Sequence, residues 1–189
     1  MGEQLTLSAK AVFLDRDSVL NRSNVRNGRP FAPTELADFE ILPGAPAAVA
    51  KLKDAGFLTI VATNQKDVGR GLVAPAVLEA MHARLRAAMP LDDIYVCTCV
   101  DDCPCYKPNP GMLLEAAEKW RIDLDRSYMV GDRWRDVEAG HRAGCRTLFL
   151  DLGCAEALTV ASHWTVADLG EAVEIILARE TASMAETRG

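Results

Sequence analysis

Short apolar runs that stop at polar residues alternate along this chain with longer stretches of helical period. Runs of this kind predict strands covered on both faces. They span Ala11–Asp15, Leu58–Thr63, Ile94–Cys97, Tyr128–Asp132, Arg146–Asp151 and, with the weakest pattern, His163–Val166. Between them the spacing predicts helices over Ala45–Ala55, Pro75–Ala88, Gly111–Trp120, Trp134–Ala143 and Asp168–Ala178. Gly56 and Gly144 sit just past two of these, where glycine commonly ends a helix, and Pro90 closes a third. Strand and helix in alternation imply βαβ crossovers, hence a three-layer α/β fold with a parallel sheet between helices. No linker or repeat interrupts the pattern. The expectation is a single domain over 1–189, with a core at about 10–180 and a short polar tail at 181–189 that frays.

Composition narrows the class. A chain of 189 residues, 49% hydrophobic and 25% charged, is long enough for one sizeable core. A net charge of −6 argues against nucleic acid as a partner. No run approaches the ~20 apolar residues that cross a bilayer, and the first residues lack the charged-then-apolar order of a signal peptide. The expectation is a cytoplasmic, monomeric protein with a small-molecule partner and no membrane contact.

Candidate chemistry gathers where strands end. Asp15 and Asp17 follow the first run, and open α/β sheets bind ligands at the carboxyl ends of their strands. Alone, the pair reads as a polar loop. Thr63-Asn64-Gln65 closes the second strand and could merely satisfy loose backbone groups. Lys107 could be a solvated charge and Asp132 a helix cap. Asp136 could be an acid in the first turn of a helix. Together at one sheet edge they supply carboxylates for a divalent cation, a hydroxyl and amide for anion oxygens, and a fixed positive charge. That is an inventory for phosphoryl transfer.

Four of the six cysteines, Cys97, Cys99, Cys103 and Cys105, fall in one short segment. Four thiolates suit a closed tetrahedral Zn²⁺ site of structural type. An iron–sulfur cluster is the rival, but paired C-x-C spacings do not match common ferredoxin patterns. Cys145 and Cys154 stand apart in apolar surroundings and read as inert thiols.

The order Asp15-Arg16-Asp17, Thr63-Asn64-Gln65, Lys107-Pro108 and Gly131-Asp132 with Asp136 resembles the four motifs of the haloacid dehalogenase superfamily. The resemblance covers about Val12 to Leu150. Phe13-Leu14-Asp15-Arg16-Asp17, Gly69-Arg70-Gly71, Cys103-x-Cys105 before Lys107-Pro108, and Pro110-Gly111-Met112 are most similar to its branch of heptose-bisphosphate and histidinol-phosphate phosphatases. The resemblance implies a Rossmann-like core without a large cap. It makes Asp15 the nucleophile and Asp17 the acid and base. Mg²⁺ would lie among Asp15, the backbone carbonyl of Asp17 and Asp132. Phosphate and substrate would meet Thr63, Asn64, Arg70 and Lys107, with Asp136 orienting Lys107. In that branch a Cys-x-His, Cys-x-Cys loop holds structural zinc, and Cys99 takes the histidine's place. Two further departures are Ser18, where the family usually has glycine, and Tyr106, where the branch commonly has arginine.

The implied activity is a Mg²⁺-dependent phosphomonoesterase that forms an aspartyl-phosphate, acting on a sugar such as D-glycero-D-manno-heptose 1,7-bisphosphate. Histidinol-phosphate hydrolysis is one alternative, and a catalytically silent binding domain of the same fold is the other. Arg22, Arg26 and Arg29, in the segment 21–33, and Arg133 and Arg135 are candidates for holding further anionic groups or are solvated charges.

Overall fold

A computed structural model describes residues 8–26, 29–154 and 157–186. The chain order is β1 (Ala11–Leu14), β2 (Asn24–Arg26), β3 (Arg29–Phe31), α1 (Ala45–Asp54), β4 (Leu58–Asn64), α2 (Lys66–Gly69) and α3 (Pro75–Ala88). It continues with β5 (Asp93–Cys97), α4 (Gly111–Trp120), β6 (Tyr128–Gly131), α5 (Trp134–Ala143), β7 (Arg146–Leu150), β8 (Trp164–Val166) and α6 (Leu169–Glu186). Six strands form one sheet in the order β5-β4-β1-β6-β7-β8, every pairing parallel.

The layering follows from the pleat of β1. Successive side chains face opposite sides, so Val12 and Leu14 enter one apolar layer with Val49, Leu52, Met81, Val130 and Ile176. Ala11 and Phe13 enter the other, with Ile60, Met112, Leu113, Ala116 and Met129. All four β1 residues are fully buried, so β1 has no polar position until the sheet ends at Asp15. The chain leaves β1 for β4 on one side and reaches β6 on the other. That reversal opens a crevice at the carboxyl end of β1, where such folds place ligands.

Three segments depart from the sequence expectation. Residues 21–33, read as a loop, contain an antiparallel hairpin with Asn24 opposite Phe31 and Val25 opposite Pro30. The intervening Asn27-Gly28 is a dipeptide favoured in two-residue hairpin turns, which was the available signal. The final helix does not stop at Ala178 but runs on to Glu186. Its first half is anchored by buried Ala172, Val173 and Ile176, Glu180 pairs with Lys10, and no glycine or proline intervenes to break the helical period. The short α2 was not anticipated either.

Candidate active site

Asp15 is the first residue beyond β1, and its amide still donates to Val130 of β6 at 2.9 Å. The strand ladder therefore fixes the backbone that carries its carboxylate. Lys107 arrives from the far side of the sheet, buried at 2% exposure. Its Nζ donates to Asp15 Oδ1 at 2.8 Å and the Ala62 carbonyl at 2.7 Å, and pairs with Asp136 Oδ1 at 2.6 Å. Three acceptors around one ammonium leave it no rotational freedom. Burial alone would push Lys107 down; the carboxylates of Asp136 and Asp15 outweigh that and hold it above the usual lysine range.

Asn64 pins the segment that delivers this lysine. Its Nδ2 donates to the Lys107 carbonyl at 3.0 Å, and its Oδ1 accepts from the Lys107 amide at 3.1 Å. Asp136 is held in turn: its Oδ2 accepts from the Arg133 amide at 3.0 Å, closing the first turn of α5. Gly131 makes room for this approach, since a Cβ there would lie 2.3 Å from the Asp136 carboxylate.

The carboxylates of Asp15, Asp132 and Asp136 converge, with one oxygen of each within 4.8 Å of the others. Burial first, then the neighbouring acids, push Asp15 up to about 6 and Asp132 up to about 8; Lys107 opposes the shift at Asp15, and Ser18 and Arg133 oppose it at Asp132. The raised values mean that this cluster of acids favours a proton or a bound cation. Hard oxygen donors of this kind suit Mg²⁺, which is bound through few carboxylates plus water and phosphate. Asp15 and Asp132 would hold it, while Asp136 is occupied by Lys107 and the α5 turn.

Asp17 behaves differently from its neighbour. Its carboxylate accepts from Arg16, from Asn21 Nδ2 at 2.9 Å and from Gln65 Nε2 at 2.8 Å. Gln65 Nε2 also donates to Thr63 Oγ1 at 2.8 Å, so Thr63 is buried behind this network. Arg16 and Gln65 stand in the motifs without an assigned role, and Asn21 lies outside them.

The crevice encloses about 170 Å³, lined by Asp15, Asp17, Ser18, Asn64, Tyr106, Lys107, Asp132 and Asp136 at its floor and by Arg133, Arg135 and the hairpin at its rim. Ser23, Pro30, Phe31 and Ala32 from the hairpin segment form part of the wall. Thr63 and Arg70 do not line it; Arg70 is exposed and faces Asp67 at 3.5 Å. Arg22 pairs with Glu40 at the surface instead. The side chains of Arg26 and Arg29 lie outside the described residues. Ser18 adopts φ 69°, the left-handed region that glycine enters without cost.

The four clustered cysteines come together as their spacing suggested. Sγ–Sγ distances are 3.4 Å for Cys97–Cys103, 3.3 Å for Cys103–Cys105 and 3.7 Å for Cys99–Cys105. A tetrahedron with Zn–S of about 2.3 Å has sulfur–sulfur edges of about 3.8 Å. The residues present therefore fit zinc, and the site ends two residues before Lys107. Cys145 is buried, as expected of an inert thiol, and Cys154 is half-buried.

Residues 10–144 match the family model of haloacid dehalogenase-like hydrolases. The chain belongs to that family. The D-glycero-beta-D-manno-heptose-1,7-bisphosphate 7-phosphatase of Pseudomonas putida is 38% identical over 154 residues, covering 78% of this chain and 85% of the relative. The enzyme of that name from Yersinia pestis is 33% identical over 193 residues, covering 93% and 99%. The crystal structure of D,D-heptose 1,7-bisphosphate phosphatase from B. bronchiseptica, complexed with magnesium and phosphate, superposes with a TM-score of 0.77 at 30% identity, covering 90% of this chain and 99% of that one. This family member is a phosphoric monoester hydrolase of Rossmann-like fold.

Proposed function

We propose that this hydrolase removes a phosphate from a phosphorylated sugar, with D-glycero-D-manno-heptose 1,7-bisphosphate as the first substrate to test. The named relatives support the substrate class. The observation that carries the chemistry is the buried Lys107 clamped between Asp15 and Asp136 beside Asp132.

In this reading Asp15 is the nucleophile. Lys107 holds its Oδ1, and its other oxygen has no hydrogen-bond partner among the described residues. That oxygen attacks phosphorus, and the bond from phosphorus to the ester oxygen breaks. The leaving oxygen takes its electron pair and a proton from Asp17. Water then attacks the aspartyl-phosphate, Asp17 accepts its proton, and phosphate departs with Asp15 restored. Asp17 has to turn out of its clamp of Arg16, Asn21 and Gln65 to serve in this way. Lys107 and the rim arginines offset charge on the phosphoryl oxygens. Mg²⁺, held by Asp15, Asp132 and the Asp17 carbonyl, supplies further positive charge at those oxygens when bound. Zn²⁺ on the four cysteines has a structural role.

The same reading takes the chain as a cytoplasmic monomer; no described helix is long and apolar enough to cross a membrane. Phosphate release from the heptose bisphosphate, other sugar phosphates and histidinol phosphate, each with Mg²⁺, tests it. The expected result is turnover of a sugar phosphate that Asp15→Asn abolishes with the circular dichroism spectrum unchanged. Turnover of histidinol phosphate alone would move the substrate to the alternative class. Release of phosphate by Asp15→Asn at the parent rate would remove Asp15 as nucleophile, and no turnover by the parent would leave a binding domain.

A further inference from the structure

The opposite end of the sheet carries a second charged cavity, which the chemistry at Asp15 does not use. It encloses about 360 Å³ where β6 and β7 begin and α6 ends. That size falls within the ~300–1,000 Å³ of small-molecule sites. Arg126, Arg146 and Arg179 line it, on a chain whose net charge is −6. None of the three forms an ion pair among the described residues. The acid in the wall, Glu180, is already paired with Lys10.

Two of these guanidinium groups are positioned by rings instead of carboxylates. Arg146 Cζ lies 5.8 Å from the centroid of Tyr128, and Arg179 Cζ lies 5.2 Å from that of Trp164. The two rings lie against each other at 6.5 Å. Stacking of this kind orients a guanidinium while leaving its N–H groups available. Burial, then His141, Arg146 and Arg179, push nearby His163 below its usual value.

A second observation points to a ligand. Tyr128 lines the cavity, is fully buried, and its hydroxyl has no hydrogen-bond partner among the described residues. Buried polar groups are nearly always satisfied, and one left open beside a cavity calls for a partner within it. A hydroxyl donor beside three guanidinium groups matches the oxygens of a multivalent oxyanion.

We propose that Arg126, Arg146, Arg179 and Tyr128 form a second anion site, selective for a multivalent phosphate and separate from the Asp15 crevice. The site does not depend on the catalytic reading. β6 joins the two regions, with Tyr128 at its start and Gly131-Asp132 at its end.

Pyrophosphate titrated calorimetrically into protein that keeps its zinc, with no Mg²⁺ added, tests the proposal. The expected result is a saturable component of one equivalent per chain, retained by Asp15→Asn. Arg146→Gln and Arg179→Gln should each weaken that component roughly tenfold or more, as loss of a charge-assisted hydrogen bond implies. Tyr128→Phe should weaken it severalfold while leaving the thermal midpoint of the free protein unchanged or higher, since no existing bond is lost. Absence of saturable binding, parent-like binding by both arginine variants, or loss of the component in Asp15→Asn would each overturn the site.

Discussion

Arg16 grips Asp17 side-on: Nη2 lies 2.8 Å from Oδ1 and 3.0 Å from Oδ2, and Nε lies 3.2 Å from Oδ1. The arginine is fully buried, with Phe39 at 5.7 Å from Cζ. Breaking one side of a buried pair costs about 3–5 kcal/mol. Arg16→Met should fall near the lower figure, because Asn21 and Gln65 still reach Asp17. Arg16→Lys should recover part of the stability but not the activity, since a point charge does not reproduce the fork. Denaturant midpoints and initial rates of phosphate release on the same preparations check this. A lysine variant with parent-level turnover would show that the grip does not orient Asp17.

Ser18 holds a left-handed backbone that costs a non-glycine residue about 1 kcal/mol or more. Its Oγ lies 2.7 Å from Ser23 Oγ, a bond that offsets part of the strain. Ser18→Gly should raise the thermal midpoint by about 2 °C, and Ser18→Ala, which keeps the strain and loses the bond, should lower it. A midpoint for Ser18→Gly below that of the parent would mean that the hydroxyl bond outweighs the strain.

His82 lies inside the α3 face, 1% exposed, with Nε2 unpartnered. Burial and then the nearby Arg16 and Arg86 push it down to about 4. The unfolded chain therefore takes up this proton first as pH falls. Its contribution is complete above about pH 6.5 and lost progressively toward pH 4, by roughly 2–3 kcal/mol. His82→Leu should flatten that part of the acid limb in urea denaturation measured across pH. An unchanged slope would exclude His82 as its source.

The cysteine loop and Lys107 share one short connection. Elemental analysis of protein purified without chelator should find one zinc per chain. Removing it, or making Cys103→Ser, should lower the thermal midpoint and slow phosphate release together, because the loop that carries Lys107 loses its anchor. Full activity in zinc-free protein would separate the cluster from the catalytic edge.

What the sequence shows of this molecule depends on how local each cause is. β1, β4 and β6 are legible because both faces are covered, so their runs are apolar, Thr59 apart, up to Asp15, Thr63-Asn64 and Asp132. The cysteine cluster is legible because its ligands are close in the chain. Arg16 is not: a charged residue between two acids reads as solvated, and only the fold shows that it points inward to Asp17. Asn64, expected to meet phosphate, lines the crevice, and the sequence does not show that its amide also pairs with the Lys107 backbone, a contact made across 43 positions of chain. The hairpin was obscured because its polar and arginine residues suggested a loop, although Asn27-Gly28 carried the turn signal.

The crevice is walled on one side by the β2–β3 hairpin, tethered where Arg133 Nη1 donates to the Pro30 carbonyl at 3.3 Å. In the proposed mechanism the reacting groups belong to the sheet edge, while Ser23, Pro30, Phe31 and Ala32 of this short separate ribbon wall the space beside them. Exchanging residues 21–33 between relatives should transplant substrate preference while the turnover machinery stays in place, so a lineage built on this plan can change its diet without relearning its chemistry.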